Sequence, residues 1–298
     1  MSDQSVADGR LSAVVQALCN SAHLKARFGK RLACASPLPS QREMIEVFEG
    51  LRQVLLPGYF GNSEVDQESI SFHVGATLDH VSRILEQQIH RGLCFACVTE
   101  TSDPDCTRRA DELAGAFLKK LPEIQRLLLG DIEAAYEGDP ACLSPDEAIF
   151  CYPGVEAVLC QRIAHALYEL KVPFLPRMLT EYAHSSTGID IHPGARIGPC
   201  FFIDHGTGVV VGETAVLGEN VRLYQGVTLG AKSFPLDDKG RPIKGIDRHP
   251  ILEDDVIVYS GATILGRVTI GKGSVIGGNV WLTKDVPPGS RIMQTLPK

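Results

Sequence analysis

The sequence predicts an α+β protein, an α-helical first half followed by a left-handed parallel β-helix built from hexapeptide repeats. Three observations carry this expectation. Residues 1–187 hold 11 of the 29 glycines, whereas the 111 residues from Gly188 onward hold the other 18. Apolar residues recur at helical spacing before that point, and aliphatic residues recur every six positions after it. The division predicts a helical domain over residues 1–183 and a coil domain over residues 184–298, with an inserted loop at 231–250.

In the first half, Ser40 and Glu43 form a capping-box pattern ahead of Met44, Val47, Phe48, Leu51, Val54 and Leu55, and Pro57-Gly58 ends the stripe. Leu78, Val81, Leu85 and Ile89 make a second stripe, and residues 111–136 hold a third. Val155, Val158, Leu159, Ile163, Ala166, Leu167 and Leu170 make a fourth, interrupted by Pro173 and Pro176. A short polar segment, residues 184–187, is expected to join the halves.

The six-residue beat runs through Ile191, Ile197 and Ile203, then Val211, Leu217, Leu223 and Leu229, then Leu252, Val258, Ile264, Ile270, Ile276 and Leu282. Neither a helix nor a simple alternating strand has this period. In a parallel β-helix each repeat builds one short flat side, and its aliphatic residue points into a narrow stacked core. Small residues four places on, at Ala195, Ala215, Ala262 and Ser274, fit the tight corners. A two-residue slip before Val211 and the excursion at 231–250 break the beat, and such departures are where function tends to sit.

A formal charge of -7 argues against binding to nucleic acid or anionic membrane, which requires clustered Lys and Arg. No apolar run reaches the roughly 18 residues of a spanning helix, and residues 1–10 lack a secretory pattern, so a cytoplasmic protein is expected. Nine cysteines fit reduced, mostly buried thiols better than a disulfide framework. Cys94, Cys97 and Cys106 with His90 could in principle surround zinc, but their spacing is unusual, and a helix with buried thiols is the preferred reading. No metal is expected.

Four runs carry chemistry: Ile189-Asp190-Ile191-His192-Pro193, Asp204-His205-Gly206-Thr207-Gly208, Val211-Gly212-Glu213-Thr214-Ala215 and Asp247-Arg248-His249-Pro250. In this order they resemble the serine O-acetyltransferases, hexapeptide-repeat acyltransferases. The resemblance is close over residues 188–286 and looser over 139–183, and the leading residues are similar only to long N-terminal forms.

Asp190 and His205 lie 15 residues apart, nearly one 18-residue coil, so their side chains are expected on one edge. The resemblance implies that His205 is the general base. An imidazole, with a pKa of about 6.5, suits the removal of a hydroxyl proton near neutral pH. Asp190 would orient the ring and stabilise the imidazolium.

Serine is a zwitterion, and the resemblance implies Arg248 for its carboxylate, Asp204 and Asp139 for its ammonium and His249 beside it. A helix cap or turn before Pro140 is the structural alternative for Asp139. Acetyl-CoA, the implied co-substrate, would contact Gly230, Ala231, Ser260 and Gly278, mostly through backbone. Glu213 is expected in a structural or trimer-contact role as readily as a catalytic one, His192 as a packing or hydrogen-bonding residue at a coil corner, and His165 and His184 as helix or joint residues.

The resemblance further implies cysteine as a feedback inhibitor at the serine site, and a homotrimer or dimer of trimers with sites between neighbouring chains. Docking to cysteine synthase is expected to be weak or absent, because the sequence ends in Leu296-Pro297-Lys298 rather than a long tail with terminal isoleucine. The insertion at 231–250 could cover the site and leaves room for another acceptor, such as homoserine. Competing readings are a sibling acetyltransferase acting on a sugar or amino sugar, and a non-enzymatic binding coil.

Overall fold

A computed structural model describes residues 3–22, 37–61, 64–96 and 104–294. Among them eight helices precede fourteen short strands. The helices are α1 (Asp3–Cys19), α2 (Gln41–Leu55), α3 (Ile70–Ala96), α4 (Pro104–Leu118), α5 (Leu121–Gly138), α6 (Pro145–Cys151), α7 (Pro153–Glu169) and α8 (Leu175–Thr187). None is long and apolar enough to cross a membrane.

Helix α2 buries the expected stripe from Met44 to Leu55. Its cap differs from the capping box. Ser40 Oγ accepts from the Glu43 N–H at 3.2 Å, but the Ser40 N–H donates to Gln88 Oε1 on α3 rather than to Glu43. The Glu43 carboxylate is drawn instead to Arg91, 3.1 Å away on α3, so a long-range ion pair replaces the local bond. Gly50 permits the crossing, since a Cβ there would lie 2.3 Å from Val81 Cγ2.

Residues 184–187, expected as a connecting segment, are the last turn of α8. Thr187 Oγ1 donates to the Ala183 carbonyl at 2.6 Å, and Gly188, at φ 73°, closes the helix through its N–H to His184 O. A left-handed cap of this kind favours glycine.

The strands, numbered β1 to β14 along the chain, fall into three parallel sheets. The first contains β1 (Asp190–Ile191), β4 (Val210–Val211), β7 (Thr228–Gly230), β10 (Thr263–Leu265) and β13 (Trp281–Leu282). The second contains β2 (Arg196–Ile197), β5 (Val216–Leu217), β8 (Ile251–Leu252) and β11 (Thr269–Ile270). The third contains β3 (Phe202–Asp204), β6 (Arg222–Tyr224), β9 (Ile257–Val258), β12 (Val275–Ile276) and β14 (Arg291–Ile292).

The six-residue beat sorts into three ladders, one per sheet. Ile191, Val211, Leu229, Ile264 and Leu282 stack in the first, and Ile197, Leu217, Leu252 and Ile270 in the second. Ile203, Leu223, Val258, Ile276 and Ile292 stack in the third. Most of these residues are buried, and Ala195, Ala215, Ala262 and Ser274 are fully buried at the corners. Burial of stacked aliphatic side chains is what stabilises such a solenoid, since each strand is too short to stand alone.

Helices and coil meet on α5 and α7. Gly138 and Gly154 have no Cβ where one would lie 2.6 Å from the Phe202 ring and 2.3 Å from the Ile203 carbonyl, respectively, so helix ends approach β3 directly. A buried ion pair bolts the contact: Asp131 takes Arg162 Nη2 at 2.7 Å and the Phe201 N–H at 2.9 Å, while Arg162 also donates to Gly198 O at 2.9 Å. Desolvating such a pair is costly, and the extra backbone bonds offset that cost.

Candidate active site

The chain turns sharply after β3. Asp204 O accepts the Gly206 N–H at 2.6 Å, a three-residue turn with His205 at its centre, at φ 57°. A positive φ is uncommon for a side chain other than Gly, Asn, Asp or His, and here it projects the imidazole outward. The side chain is 69% exposed, and its Nδ1 lies 3.6 Å from Asp204 Oδ1. Among the described residues Asp204 supplies the carboxylate within ion-pair distance of this ring.

Asp190 opens β1. The two-residue slip lengthens the first coil, so Val210 stacks on Asp190 and His205 stands at the preceding corner. The nearest cation to Asp190 is Arg177 on α8, at 3.9 Å. Among the described residues no hydrogen bond or ion pair joins the Asp190 and His205 side chains.

Asp139 caps α5 as the structural alternative anticipated, and it also lies beside the histidine. Its Oδ2 accepts the Tyr152 hydroxyl at 2.5 Å and its Oδ1 the Ala141 N–H at 2.8 Å. The Tyr152 bond, then the backbone bond, and finally the charge of nearby His205 hold its carboxyl below the usual carboxylate range. One edge of the coil therefore gathers Asp139, Asp204 and His205.

Below His205 the same edge is lined by backbone. Gly208 faces Gly226, and Gly226 faces Gly261: a Cβ on Gly208 would lie 3.7 Å from Gly226 Cα, and one on Gly226 3.4 Å from Gly261 Cα. Ser260 and Gly278 follow in this column, linked by the Asn279 N–H to Ser260 O at 2.9 Å. Tyr224, which stacks under Asp204, lies ring on ring with Tyr259 at 4.9 Å. Gln225 Oε1 is buried here without a partner among the described residues.

Arg248 and His249 stand on the opposite edge of the first sheet, between β7 and β8, with Gly230 and Ala231. Arg248 Nη2 meets Glu213 Oε2 at 2.7 Å. Burial works against the Glu213 charge, yet Arg248, then His192, keep its carboxyl below the ordinary range. His249 is buried, and its Nδ1 accepts the Thr214 N–H at 3.0 Å, which puts the proton of the neutral ring on Nε2. Burial first, then Arg248, push its pKa down to about 4.

The site residues that sequence reasoning set aside or passed over are Glu213, Thr214, Tyr152 and Tyr168. Tyr168 Oη lies 3.4 Å from Glu213 Oε1, and its ring stands edge-on to His192. The signal for the first two lay in the beat. Leu217 stacks on Leu252 across the insertion, so Glu213 meets Arg248 and Thr214 meets His249 at the same offset. His165 lies on α7, with Nδ1 2.8 Å from Pro193 O.

Residues 236–242 of the insertion form a small exposed hairpin, with Leu236 bridged to Pro242 and Asp237 paired to Arg241 at 2.8 Å. Of the cysteines weighed for zinc, Cys94 lies 3.5 Å from His90 Nε2, Cys106 is buried and Cys97 lies outside the described residues. No group of three His, Cys, Asp or Glu suited to a metal occurs among the described residues. The closing residues 295–298, on which cysteine synthase docking was argued, also lie outside them.

A plasmid serine acetyltransferase of Synechococcus elongatus is 54% identical to this chain over 263 residues, covering 87% of the chain and 82% of the relative. The chain belongs to the serine acetyltransferase family. Residues 249–284 also match the family profile described as bacterial transferase hexapeptide (six repeats). Serine acetyltransferase 1 of Entamoeba histolytica, in a crystal structure with L-cysteine, has a TM-score of 0.73 at 38% identity and covers 83% of this chain and 86% of that one. Soybean serine acetyltransferase complexed with serine has a TM-score of 0.55 at 30% identity, covering 87% of this chain and 98% of that one. Serine acetyltransferases with this helical lead and this coil thus share the architecture that carries Asp190, His205 and Arg248 here.

Proposed function

We propose that this chain transfers the acetyl group of acetyl-CoA to the hydroxyl of L-serine, giving O-acetyl-L-serine for cysteine synthesis, with His205 as general base. One observation carries the reading: an outward-turned imidazole, flanked by Asp204 and Asp139, heads a glycine-lined edge. His205 takes the serine hydroxyl proton as the oxygen attacks the thioester carbonyl; the C–O bond forms, the C–S bond breaks, and the proton passes to the departing thiolate. With Nδ1 turned toward Asp204, Nε2 is free for that task. Asp190 orients the ring, a role that rests on the resemblance.

The residues below His205 fit acetyl-CoA. Bare glycine backbone at Gly208, Gly226, Gly261 and Gly278 lets a chain lie close, and the unpartnered Gln225 Oε1 offers an acceptor for an amide N–H. Arg248 takes the serine carboxylate and His249 donates from Nε2, while Asp139 and Asp204 take the ammonium.

His205 and Arg248 stand on opposite edges of one sheet, so a single coil holds two half-sites. Coils packed around a threefold axis would bring the Arg248 edge of one chain to the His205 edge of the next, which supports a homotrimer, or a pair of trimers, with sites between chains. In this reading residues 1–183 form the helical domain that supplies Asp139, and residues 184–298 form the catalytic coil. Cysteine, which differs from serine by sulfur for oxygen, would compete for the same carboxylate and ammonium contacts as a feedback inhibitor.

A thiol-release assay with acetyl-CoA and, in turn, L-serine, L-homoserine and glucosamine tests the proposal. Release with serine well above the other two is expected. No release with serine would defeat it.

A further inference from the structure

A cavity of about 210 Å3 lies within the helical part, between α2, the segment after it, the start of α7 and the end of α8. Its walls mix polar and apolar groups, with Phe60 and Phe150 meeting edge to face at 6.4 Å. Two opposite charges line it. Arg52 lies over Phe60, 4.1 Å from the ring centre, with Nη2 held by Glu49 at 2.6 Å. Its Nε is buried and has no hydrogen-bond partner among the described residues. Glu156, whose carboxylate accepts the Ser186 hydroxyl at 2.9 Å, stands 3.6 Å from Arg52 Nη1, too far for a tight bond.

The guanidinium is only loosely paired across the cavity at Nη1, and a planar guanidinium suits a carboxylate. Glu156 offers a complementary place for an ammonium. The volume falls below the roughly 300–1,000 Å3 of sites for drug-sized ligands and suits a much smaller molecule. We propose that this cavity binds a free α-amino acid with an apolar side chain, its carboxylate on the Arg52 guanidinium, its ammonium on Glu156 and its side chain against Phe60 and Phe150.

The cavity touches the candidate active site at two points. Tyr152 lines it and hydrogen-bonds Asp139; Thr187 lines it and accepts the Ile189 N–H at 3.2 Å, one residue before Asp190. Occupancy therefore shifts the affinity for serine. This coupling rests on the acetyl-transfer reading, whereas the binding does not.

Calorimetry on the full chain with L-leucine, L-methionine and L-phenylalanine tests the binding, with 4-methylpentanoate and 3-methylbutylamine as analogues lacking one charge. At least one amino acid should saturate the protein, and each analogue of leucine should bind about tenfold or more weakly than leucine. Arg52→Gln and Glu156→Gln, each checked by thermal melting, should weaken binding about tenfold or more, and Arg248→Gln, which disables the serine site, should leave it intact. Failure of all three amino acids to saturate, or undiminished binding in either folded cavity variant, would overturn the site. The bound amino acid should change the serine KM of the wild type and not that of Glu156→Gln; an unchanged wild-type KM would overturn the coupling.

Discussion

A side chain on Gly212 would stand 2.0 Å from Cδ2 of His249, so the buried imidazole occupies the space that any Cβ at position 212 would need. The two residues belong to consecutive coils, and their contact fixes where the Arg248-His249 pair sits. Gly212→Ala should therefore cost about 1–3 kcal/mol of stability by overpacking. It should also raise the serine KM. Urea unfolding and steady-state kinetics check both, and a fully stable variant with a normal serine KM would contradict the contact.

Stability should fall on acidification through His249. The folded ring titrates at about 4, because burial and then Arg248 oppose its charge, whereas an unfolded histidine titrates near 6.5. Between these values the unfolded chain binds the proton and the folded chain does not. The contribution is complete above about pH 6.5 and is lost as pH falls toward 4. Asp139 and Glu213, held below their ordinary values, add losses in the same direction at lower pH. Urea midpoints measured from about pH 7.5 to about 4.5 should decline, and His249→Gln should flatten that slope.

Arg162→Ala should cost about 3–5 kcal/mol, since it leaves the Asp131 carboxyl buried without its counter-ion. The double variant with Asp131→Asn should lose less than the sum of the single changes. Additive losses in urea unfolding would show that the pair does not act as a unit.

Arg248→Lys should raise the serine KM about tenfold or more while leaving the acetyl-CoA KM unchanged, because an ammonium cannot offer two parallel bonds to a carboxylate. A rise in both constants would assign Arg248 to positioning the coil instead.

The coil was legible in the sequence because its core repeats: the aliphatic beat places Ile191, Val211 and Leu229 in one ladder without further information. Helix α2 was legible for the same reason, through the spacing from Met44 to Leu55. What escaped depends on contacts across elements. Glu43 left its own helix cap for Arg91, and Tyr152 reached Asp139, two pairings that no local pattern specifies. The two-residue slip was legible as a break in the beat, and it stacks Val210 on Asp190.

Steady-state CoA release with serine by His205→Asn, in protein that melts as the wild type does and still binds acetyl-CoA, bears most directly on this account. Loss of a general base should lower kcat by about 100-fold to 10,000-fold. Turnover within a few-fold of the wild type would show that another group removes the hydroxyl proton.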